Sequence, residues 1–228
     1  MLNNFKEMLL LQNKLNNDTC GINWATTKET SEGRSISWKR CIYMEGAEFI
    51  DSFNWKHWKD ISQAHDVANA QIELVDIWHF IMSAYIEKAG GKNISAIARH
   101  IQSVVDAASA DNPVKEDFNH AIKQMEDVIH IASSSTDNFL KKLDSLLTHF
   151  VKACHNTALS FESLYALYIG KNILNLFRQS NGYKDGSYIK IWKGKEDNVV
   201  MQEYLEEFPD ASAEQLLFFL QKEYKNIK

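Results

Sequence analysis

The stretch Asn69–Ile86, with the sequence NAQIELVDIWHFIMSAYI, constrains the fold of this chain more than any other segment. It contains neither glycine nor proline and is apolar on almost every face of a helix, which is typical of a helix buried in a protein interior. Glu73 and Asp76 nevertheless lie only about 60° apart on that helix, because they are three residues apart. Ionised carboxylates in an apolar interior are costly unless cations compensate them. The stretch therefore predicts a buried helix that carries a charged site.

A second acidic pair lies in the stretch Ile42–Phe53, IYMEGAEFIDSF, which also has helical spacing. Its two carboxylates, Glu45 and Glu48, are again three residues apart. If this helix packs against the first one, four carboxylates meet and repel one another strongly. Mg²⁺ would relieve this repulsion, because it is a hard cation that binds carboxylate oxygens and keeps positions for water and phosphate. The two pairs together predict a Mg²⁺ site.

The composition favours long helices over a turn-rich β fold. The chain has 228 residues, 45% of them hydrophobic, with only two prolines and nine glycines. This length fits a single all-α domain over residues 1–228. Within that domain we expect a variable, mobile helical segment over about 90–150 and a C-terminal helical tail over 196–228.

The periodicity of apolar residues divides the chain into helices and two main loops. Helices are predicted over residues 3–17, 37–53, 69–86, 92–109, about 114–132, 138–155 and 159–178, and loops over 18–36 and 181–195. Asp111, Asn112 and Pro113 separate the fourth helix from the fifth. For the tail we expect one or two amphipathic helices, with Asp210 or Ser212 as the N-cap.

Charge and cysteine usage exclude several classes of protein. The net charge of −5 argues against a partner that is a nucleic-acid polymer, which a basic protein would bind. Acidic residues interrupt the most apolar stretch, so a membrane span is not expected. The N-terminus lacks the basic region of a signal peptide. Three widely spaced cysteines indicate free thiols in a reducing compartment, so we expect a cytoplasmic protein.

The segment Lys171–Lys195 reverses the acidic balance of the chain, with six basic residues and one acidic residue. Lys171, Asn175 and Arg178 follow the i, i+4, i+7 spacing of one helical stripe. Lysine and arginine supply charge for an anion, and arginine binds phosphate through two nitrogens. Phosphate is therefore the expected ligand. Ion pairs with acidic residues on the helix surface are the alternative interpretation of this stripe.

These motifs resemble those of a known group of enzymes. Glu45-x-x-Glu48, twenty-four residues and then Glu73-x-x-Asp76 resemble the metal motif of the all-α NTP pyrophosphatases, which include MazG-like enzymes, dCTPases and dimeric dUTPases. Three further segments look like the dimeric dUTPases specifically. They are WKHWKD (55–60), IELVDIWHF (72–80) and GKNILNLFRQSNGYKDGSY (170–188). The resemblance runs from about Leu9 to about Asn198, with no matching motif over roughly 90–150.

The resemblance implies a helical bundle of this type that hydrolyses dUTP, and also dUDP, to dUMP. It implies a homodimer with Mg²⁺ as the cofactor. The Mg²⁺ ligands would be Glu45, Glu48, Glu73 and Asp76. Glu48 would also activate the attacking water. Base specificity does not follow from the residues alone, so a related nucleotide pyrophosphatase of the dCTPase or MazG-like type remains the alternative.

The resemblance also implies a set of substrate-binding residues. Gln12 and Asn16, at i, i+4, would read the uracil edge, although their spacing alone indicates an exposed polar stripe. Phe80 would stack on uracil, and His79 would lie near the nucleoside. The residues implied at the phosphates are Trp58, Lys59, Lys171, Asn175, Arg178 and Lys184, and those implied in ordering a closing loop are Asn181 and Tyr183.

Two further classes fit the sequence less well. A di-iron carboxylate bundle would also place Glu and His in a helical core, but it needs two E-x-x-H pairs. This chain offers only Asp76-x-x-His79. A non-catalytic helical interaction module would leave the two acidic pairs unexplained. Metal content would test the first alternative, and release of diphosphate from nucleotides would test the second.

Overall fold

The apolar stretch forms a 22-residue helix, α4 (Val67–Lys88), at the centre of the first part of the fold. Fourteen of its residues are buried, as its sequence predicts. The side chain of Asp66 caps its first turn by accepting a hydrogen bond from the backbone N–H of Asn69 at 2.9 Å. The structure, a computed structural model, describes residues 1–60, 62–110 and 112–227.

The all-α prediction is confirmed, because helices account for 69% of the residues that the structure describes. The chain divides into two compact units, Met1–Phe161 and Glu162–Lys228. The helices of the first unit are α1 (Leu2–Cys20), α2 (Trp24–Thr27), α3 (Trp38–Asp51), α4, α5 (Ile94–Ser109), α6 (Phe118–Ser133), α7 (Thr136–Lys141) and α8 (Leu143–Asn156). The prediction that residues 1–228 form one domain stays a prediction.

Trp78 anchors the core of the first unit from the middle of α4. Its ring stacks on Phe150 of α8, with centroids 5.7 Å apart, and meets the edge of Phe5 of α1 at 6.2 Å. Its indole N–H lies 3.3 Å from the sulfur of Met8. One aromatic side chain therefore joins α4 to α1 and α8, while α3 packs along another side of α4.

The second unit contains α9 from Glu162 onward and the helical tail. Its elements are α9 (Phe161–Ser180), β1 (Ile191–Trp192), β2 (Lys195–Glu196), α10 (Asp197–Glu207) and α11 (Ala213–Lys225). The two strands form an antiparallel hairpin around Lys193 and Gly194, whose φ angles are 52° and 86°. Positive φ at both central residues is typical of the tight turn that suits the twist of a hairpin. Ser212 caps α11 with a capping box, as one of the two predicted N-caps.

Besides the hairpin, which begins within the loop predicted over 181–195, two predicted segments differ from the structure. The helix predicted over 138–155 is broken at Lys142 into α7 and α8, and this break allows both Phe139 and Leu143 to be buried. The loop predicted over 18–36 contains α2, because Trp24 is buried in the core. Asp111, predicted in the connection before α6, lies outside the described residues.

Of the helices in the described ranges, none has both the length and the apolar character that crossing a membrane would require. The three cysteines are free thiols; Cys154 is buried, whereas Cys20 and Cys41 are partly exposed. Burial, followed by the neighbouring carboxylate of Glu45, raises the pKa of Cys41 to about 11. The Cys41 thiol therefore stays protonated at neutral pH.

Gly46 allows α3 to approach α6 closely. A Cβ atom at this position would lie 2.9 Å from Cγ1 of Ile129 and 3.2 Å from the sulfur of Met125. Both atoms belong to flexible side chains, so a small substituent would be accommodated by local movement. A large substituent would overpack the contact.

We expect Gly46→Leu to lower the free energy of unfolding by about 1–3 kcal/mol, because added methylenes force packed side chains apart. Ala47→Leu is the matched control, since Ala47 is the next residue of the same helix and is exposed. It should change stability by less than about 0.5 kcal/mol. Urea denaturation followed by circular dichroism measures both. Equal stability of the two variants would contradict the close α3–α6 contact.

Candidate functional site

Three of the four predicted metal-binding carboxylates converge between α3 and α4. Each of Glu45, Glu73 and Asp76 offers a carboxylate oxygen, and these oxygens all lie within 4.8 Å of one another. Glu73 is buried, with 8% of its surface exposed, and the other two are partly exposed. The i, i+3 spacing on α4 and the packing of α3 against it bring them together. We call these three residues the acidic cluster.

The acidic cluster fits a hard divalent cation by its chemistry and its dimensions. All of its ligand atoms are carboxylate oxygens, which Mg²⁺ prefers. Glu45, Glu73 and Asp76 would together hold the ion, since their ligand atoms lie within 4.8 Å of one another, and the ion would supply positive charge for a bound phosphate. The cluster contains no histidine, so it does not have the donor set of a di-iron carboxylate site.

Glu48 lies outside the acidic cluster, one turn further along α3. It is exposed and lines a cavity of about 410 Å³ that extends to the start of α4. Lys56 and Lys59 line the same cavity. Lys56 pairs with Asp51, and this hydrogen bond lowers the pKa of the Asp51 carboxyl. The predicted metal ligand Glu48 thus occupies a mixed, water-accessible environment.

The Trp and Lys residues of the turn after α3 point largely toward solvent. Trp58 is 64% exposed, and its ring meets the edge of Trp55 with centroids 5.7 Å apart. Lys59 is exposed as well, although it contributes to the wall of the cavity beside Glu48. The two tryptophans of this turn therefore contribute little to the packing between the helices.

Gln12 and Asn16 are buried rather than exposed, with 2% and 3% of their surfaces accessible. Gln12 Nε2 donates to Asn16 Oδ1 at 3.0 Å and to Ser83 Oγ at 3.1 Å. Asn16 Nδ2 donates to the same hydroxyl at 2.9 Å. Gln12 Oε1 lies 2.6 Å from Nδ1 of His79, which indicates that this ring nitrogen carries the proton. We call these four residues the amide cluster.

Phe80 lies beside the amide cluster on α4 and is partly exposed. Trp38 of α3 stacks against its ring, with centroids 6.1 Å apart and an interplanar angle of 23°. Trp38 is held in turn by the edge of Trp24 at 5.4 Å. Two tryptophans therefore fix the orientation of the Phe80 ring.

In the second unit, Arg178 is buried and bound to a carboxylate that the sequence analysis did not include. Asp197, the first residue of α10, accepts from Nε of Arg178 at 2.8 Å and from Nη2 at 2.6 Å. Nη1 donates to Asn175 at 3.2 Å. The ring of Tyr183 lies over the guanidinium, 5.6 Å from Cζ. Arginine and aspartate form a bidentate pair here.

Lys171 is buried along the same stripe and donates to Oδ1 of Asn198 at 2.9 Å. Asn181 donates from Nδ2 to the backbone carbonyl of Phe177 at 2.8 Å, which ties the loop after α9 back to the helix. Lys184 is exposed in that loop. The stripe predicted on α9 thus exists, and the C-terminal tail, in which no site residue was predicted, supplies partners for Lys171 and Arg178.

Sequence reasoning missed Ser83, Asp197 and Asn198. Ser83 could have been found by the criterion that identified Glu73, because it is a polar residue inside an apolar helix. Asp197 and Asn198 carry no such signal, since they follow a loop and begin a helix of mixed character. Their partners on α9 become apparent only once the hairpin has closed.

Comparison with known families gives a match over most of the chain. The sequence profile of a family described as dUTPase matches residues 4–183. Every predicted site residue except Lys184 falls within that range. A comparison with individually curated proteins gave no match.

We expect Asp76→Asn to weaken Mg²⁺ binding by about tenfold or more, because an amide cannot replace a charged oxygen ligand. Isothermal titration with Mg²⁺ measures the affinity. Asp106→Asn is the control, since it removes one carboxylate from an exposed position on α5. Without Mg²⁺, Asp76→Asn should melt no earlier than the wild type, because like charges are relieved. Unchanged Mg²⁺ affinity would contradict the metal assignment.

Proposed function

Because the chain belongs to the dUTPase family, we propose that it is a Mg²⁺-dependent enzyme that hydrolyses dUTP to dUMP and diphosphate. The observation that carries this proposal is the convergence of Glu45, Glu73 and Asp76 where α3 packs against α4. The amide cluster, which α1 and α4 form together, supplies groups that can recognise a base. A homodimer and a cytoplasmic location, both expected from the sequence, are part of the proposal.

Glu45, Glu73 and Asp76 would hold Mg²⁺, which polarises phosphoryl oxygens and neutralises their charge when it is bound. Glu48 has a separate task in this proposal. Because it is exposed and lies outside the cluster, its carboxylate remains available to take a proton from the attacking water. The cavity that it lines also gives water a route to this carboxylate.

Within the amide cluster, we assign the two amides different roles. Gln12 donates both amide hydrogens to Asn16 and Ser83 and accepts from His79, so it orients its neighbours. The described bonds of Asn16 use only one of its two amide hydrogens. Asn16 would therefore present both a donor and an acceptor to the uracil edge. Phe80, whose ring is fixed by Trp38, would stack on the base.

Phosphate recognition is assigned to the basic residues. Lys171, Asn175 and Arg178 lie on one stripe of α9, and Lys184 is exposed in the following loop. Asn181 and Tyr183 would order that loop, one by its backbone contact and the other by its ring over Arg178. Trp58 and Lys59 would contribute from the turn after α3.

A related nucleoside triphosphate pyrophosphatase with another base preference is the second candidate function. The metal and phosphate groups would serve any nucleotide, so only the amide cluster and Phe80 discriminate between the two. dUDP is also an expected substrate, since the phosphate chain is held by charge rather than by a loop specific for the γ-phosphate.

We expect dUTP to be preferred over dCTP by roughly 10⁴-fold in kcat/KM, because cytosine leaves buried polar groups unpaired. dTTP should also be a poor substrate, because a pocket closed around the C5 edge of uracil excludes the methyl group of thymine by overlap. A panel of nucleotides with detection of diphosphate, with Mg²⁺ and with EDTA, measures this. Activity should disappear with EDTA. Asn16→Ala should reduce the discrimination, and Lys6→Ala, an exposed substitution on the same helix, should not. Equal kcat/KM for dCTP and dUTP would favour the second candidate.

We expect Glu48→Gln to lower kcat by about 10²-fold or more, which is the usual contribution of a general base. Asp51→Asn is the matched control, because it removes a carboxylate from the wall of the same cavity. The control should keep kcat within about threefold of the wild type. Near-normal turnover by Glu48→Gln would remove Glu48 from the mechanism. If Glu48→Gln binds Mg²⁺ with unchanged affinity, Glu48 acts as a base and is not a metal ligand.

A further inference from the structure

Asp197 is a fully buried carboxylate, with no accessible surface, in the second unit of the protein. Its two oxygens accept from Nε and Nη2 of Arg178 at 2.8 and 2.6 Å. Oδ2 also accepts from the hydroxyl of Tyr188 at 2.7 Å. A buried carboxylate needs this number of donors, because an uncompensated charge in the interior is strongly unfavourable.

The pair fixes the orientation of the guanidinium. With Nε and Nη2 held by Asp197, the planar group cannot rotate, and its remaining nitrogen, Nη1, is directed toward Asn175 at 3.2 Å. A planar fork held on one edge presents the other edge in a defined direction. Asn175 is partly exposed, so this edge lies at the accessible side of the stripe.

The same first turn of α10 also holds the second cation of the stripe. Asn198 accepts from Nζ of Lys171 at 2.9 Å and from Nη2 of Arg178 at 3.0 Å through one oxygen. Asn198 itself is kept in place by Asp197, which accepts from its backbone N–H at 2.9 Å. One carboxylate thus organises two cations and two amides.

We propose that Asp197 is a positioning residue for phosphate binding, which acts by holding Arg178 in the orientation that presents Nη1 and Asn175. This inference rests on the proposed function, because it takes Arg178 to contact the phosphate chain. It adds a residue of the C-terminal tail to the machinery of the enzyme. Asp197 itself would touch neither the substrate nor the metal.

The effect of Asp197→Asn on diphosphate affinity separates positioning from simple charge neutralisation. Asparagine keeps the shape of aspartate but removes the charge that orients the guanidinium. If Asp197 positions Arg178, the affinity for inorganic diphosphate in the presence of Mg²⁺ should fall by about tenfold or more. If Asp197 only cancels positive charge, its removal should strengthen binding of this anion. Isothermal titration gives the direction, and unchanged or stronger binding overturns the proposal.

A double-mutant cycle tests whether Asp197 acts through Arg178. The single variant Arg178→Lys should weaken diphosphate binding. Adding Asp197→Asn to that variant should then change the diphosphate affinity by less than about twofold. Equal effects of Asp197→Asn in both backgrounds would overturn the proposal. Glu203→Gln is the matched control, because it removes an exposed carboxylate from the same helix, α10. It should leave the affinity unchanged.

If Asp197→Asn does not fold, Tyr188→Phe provides a second test of the positioning role of Asp197. It removes one hydrogen bond to Asp197 while preserving the ring that stacks on Tyr224. We expect diphosphate binding to weaken by about two- to fivefold with the circular dichroism spectrum unchanged. Unchanged affinity in this folded variant would contradict the positioning role.

Inorganic diphosphate contains no base, so this experiment is independent of base specificity. If the wild type binds diphosphate and Asp197→Asn weakens that binding, the inference holds even where dUTP is not hydrolysed. If the wild type hydrolyses dUTP but Asp197→Asn binds diphosphate normally, the inference fails and the proposed function stands.

Discussion

The fold of the first unit depends on one constraint, which is that α4 must be buried and yet carries two carboxylates. Its apolar faces are covered by α1, α3 and α8, with Trp78 at the centre of the contacts. Covering α4 on the α3 side brings Glu45 to Glu73 and Asp76. Concentrating like charge in this way lowers stability, because buried carboxylates repel one another and lose hydration. A bound cation would reduce this repulsion, which is the physical basis of the proposed Mg²⁺ site.

The second unit also contains a buried charge, the positive charge of Arg178. Arg178 is as buried as Glu73, and its charge is matched by Asp197 within the same unit. Removing one partner of a buried ion pair costs about 3–5 kcal/mol, because the other charge is left without compensation. The pair therefore constrains both stability and orientation. Arg178 and Asp197 thus show how a buried charge is stabilised by an opposite charge from the same unit.

The sequence alone allowed prediction of the helices and most of the polar clusters, for identifiable reasons. The burial of α4 and the position of Glu73 beside Asp76 follow from helical periodicity, because both depend only on residues close in sequence. The burial of Gln12 depends on Ser83, which lies 71 residues away. Ion pairing was foreseen as an alternative for the α9 stripe, but not the partner Asp197. That partner reaches Arg178 only after the turn at Lys193 and Gly194 has closed, and helical spacing carries no information on such a contact.

Helix α4 also fixes the distance between the acidic cluster and the amide cluster. Asp76 and Ser83 are seven residues apart, which places them within about 20° of one another and about 10 Å apart along the helix axis. Glu73 and Phe80 have the same spacing. In a nucleotide, a sugar separates the base from the first phosphate, so a site that recognises both ends needs a rigid spacer between them. The pairs Asp76–Ser83 and Glu73–Phe80 meet that requirement, because each has a spacing of seven residues on the same buried helix. Residues on loops would first have to be ordered.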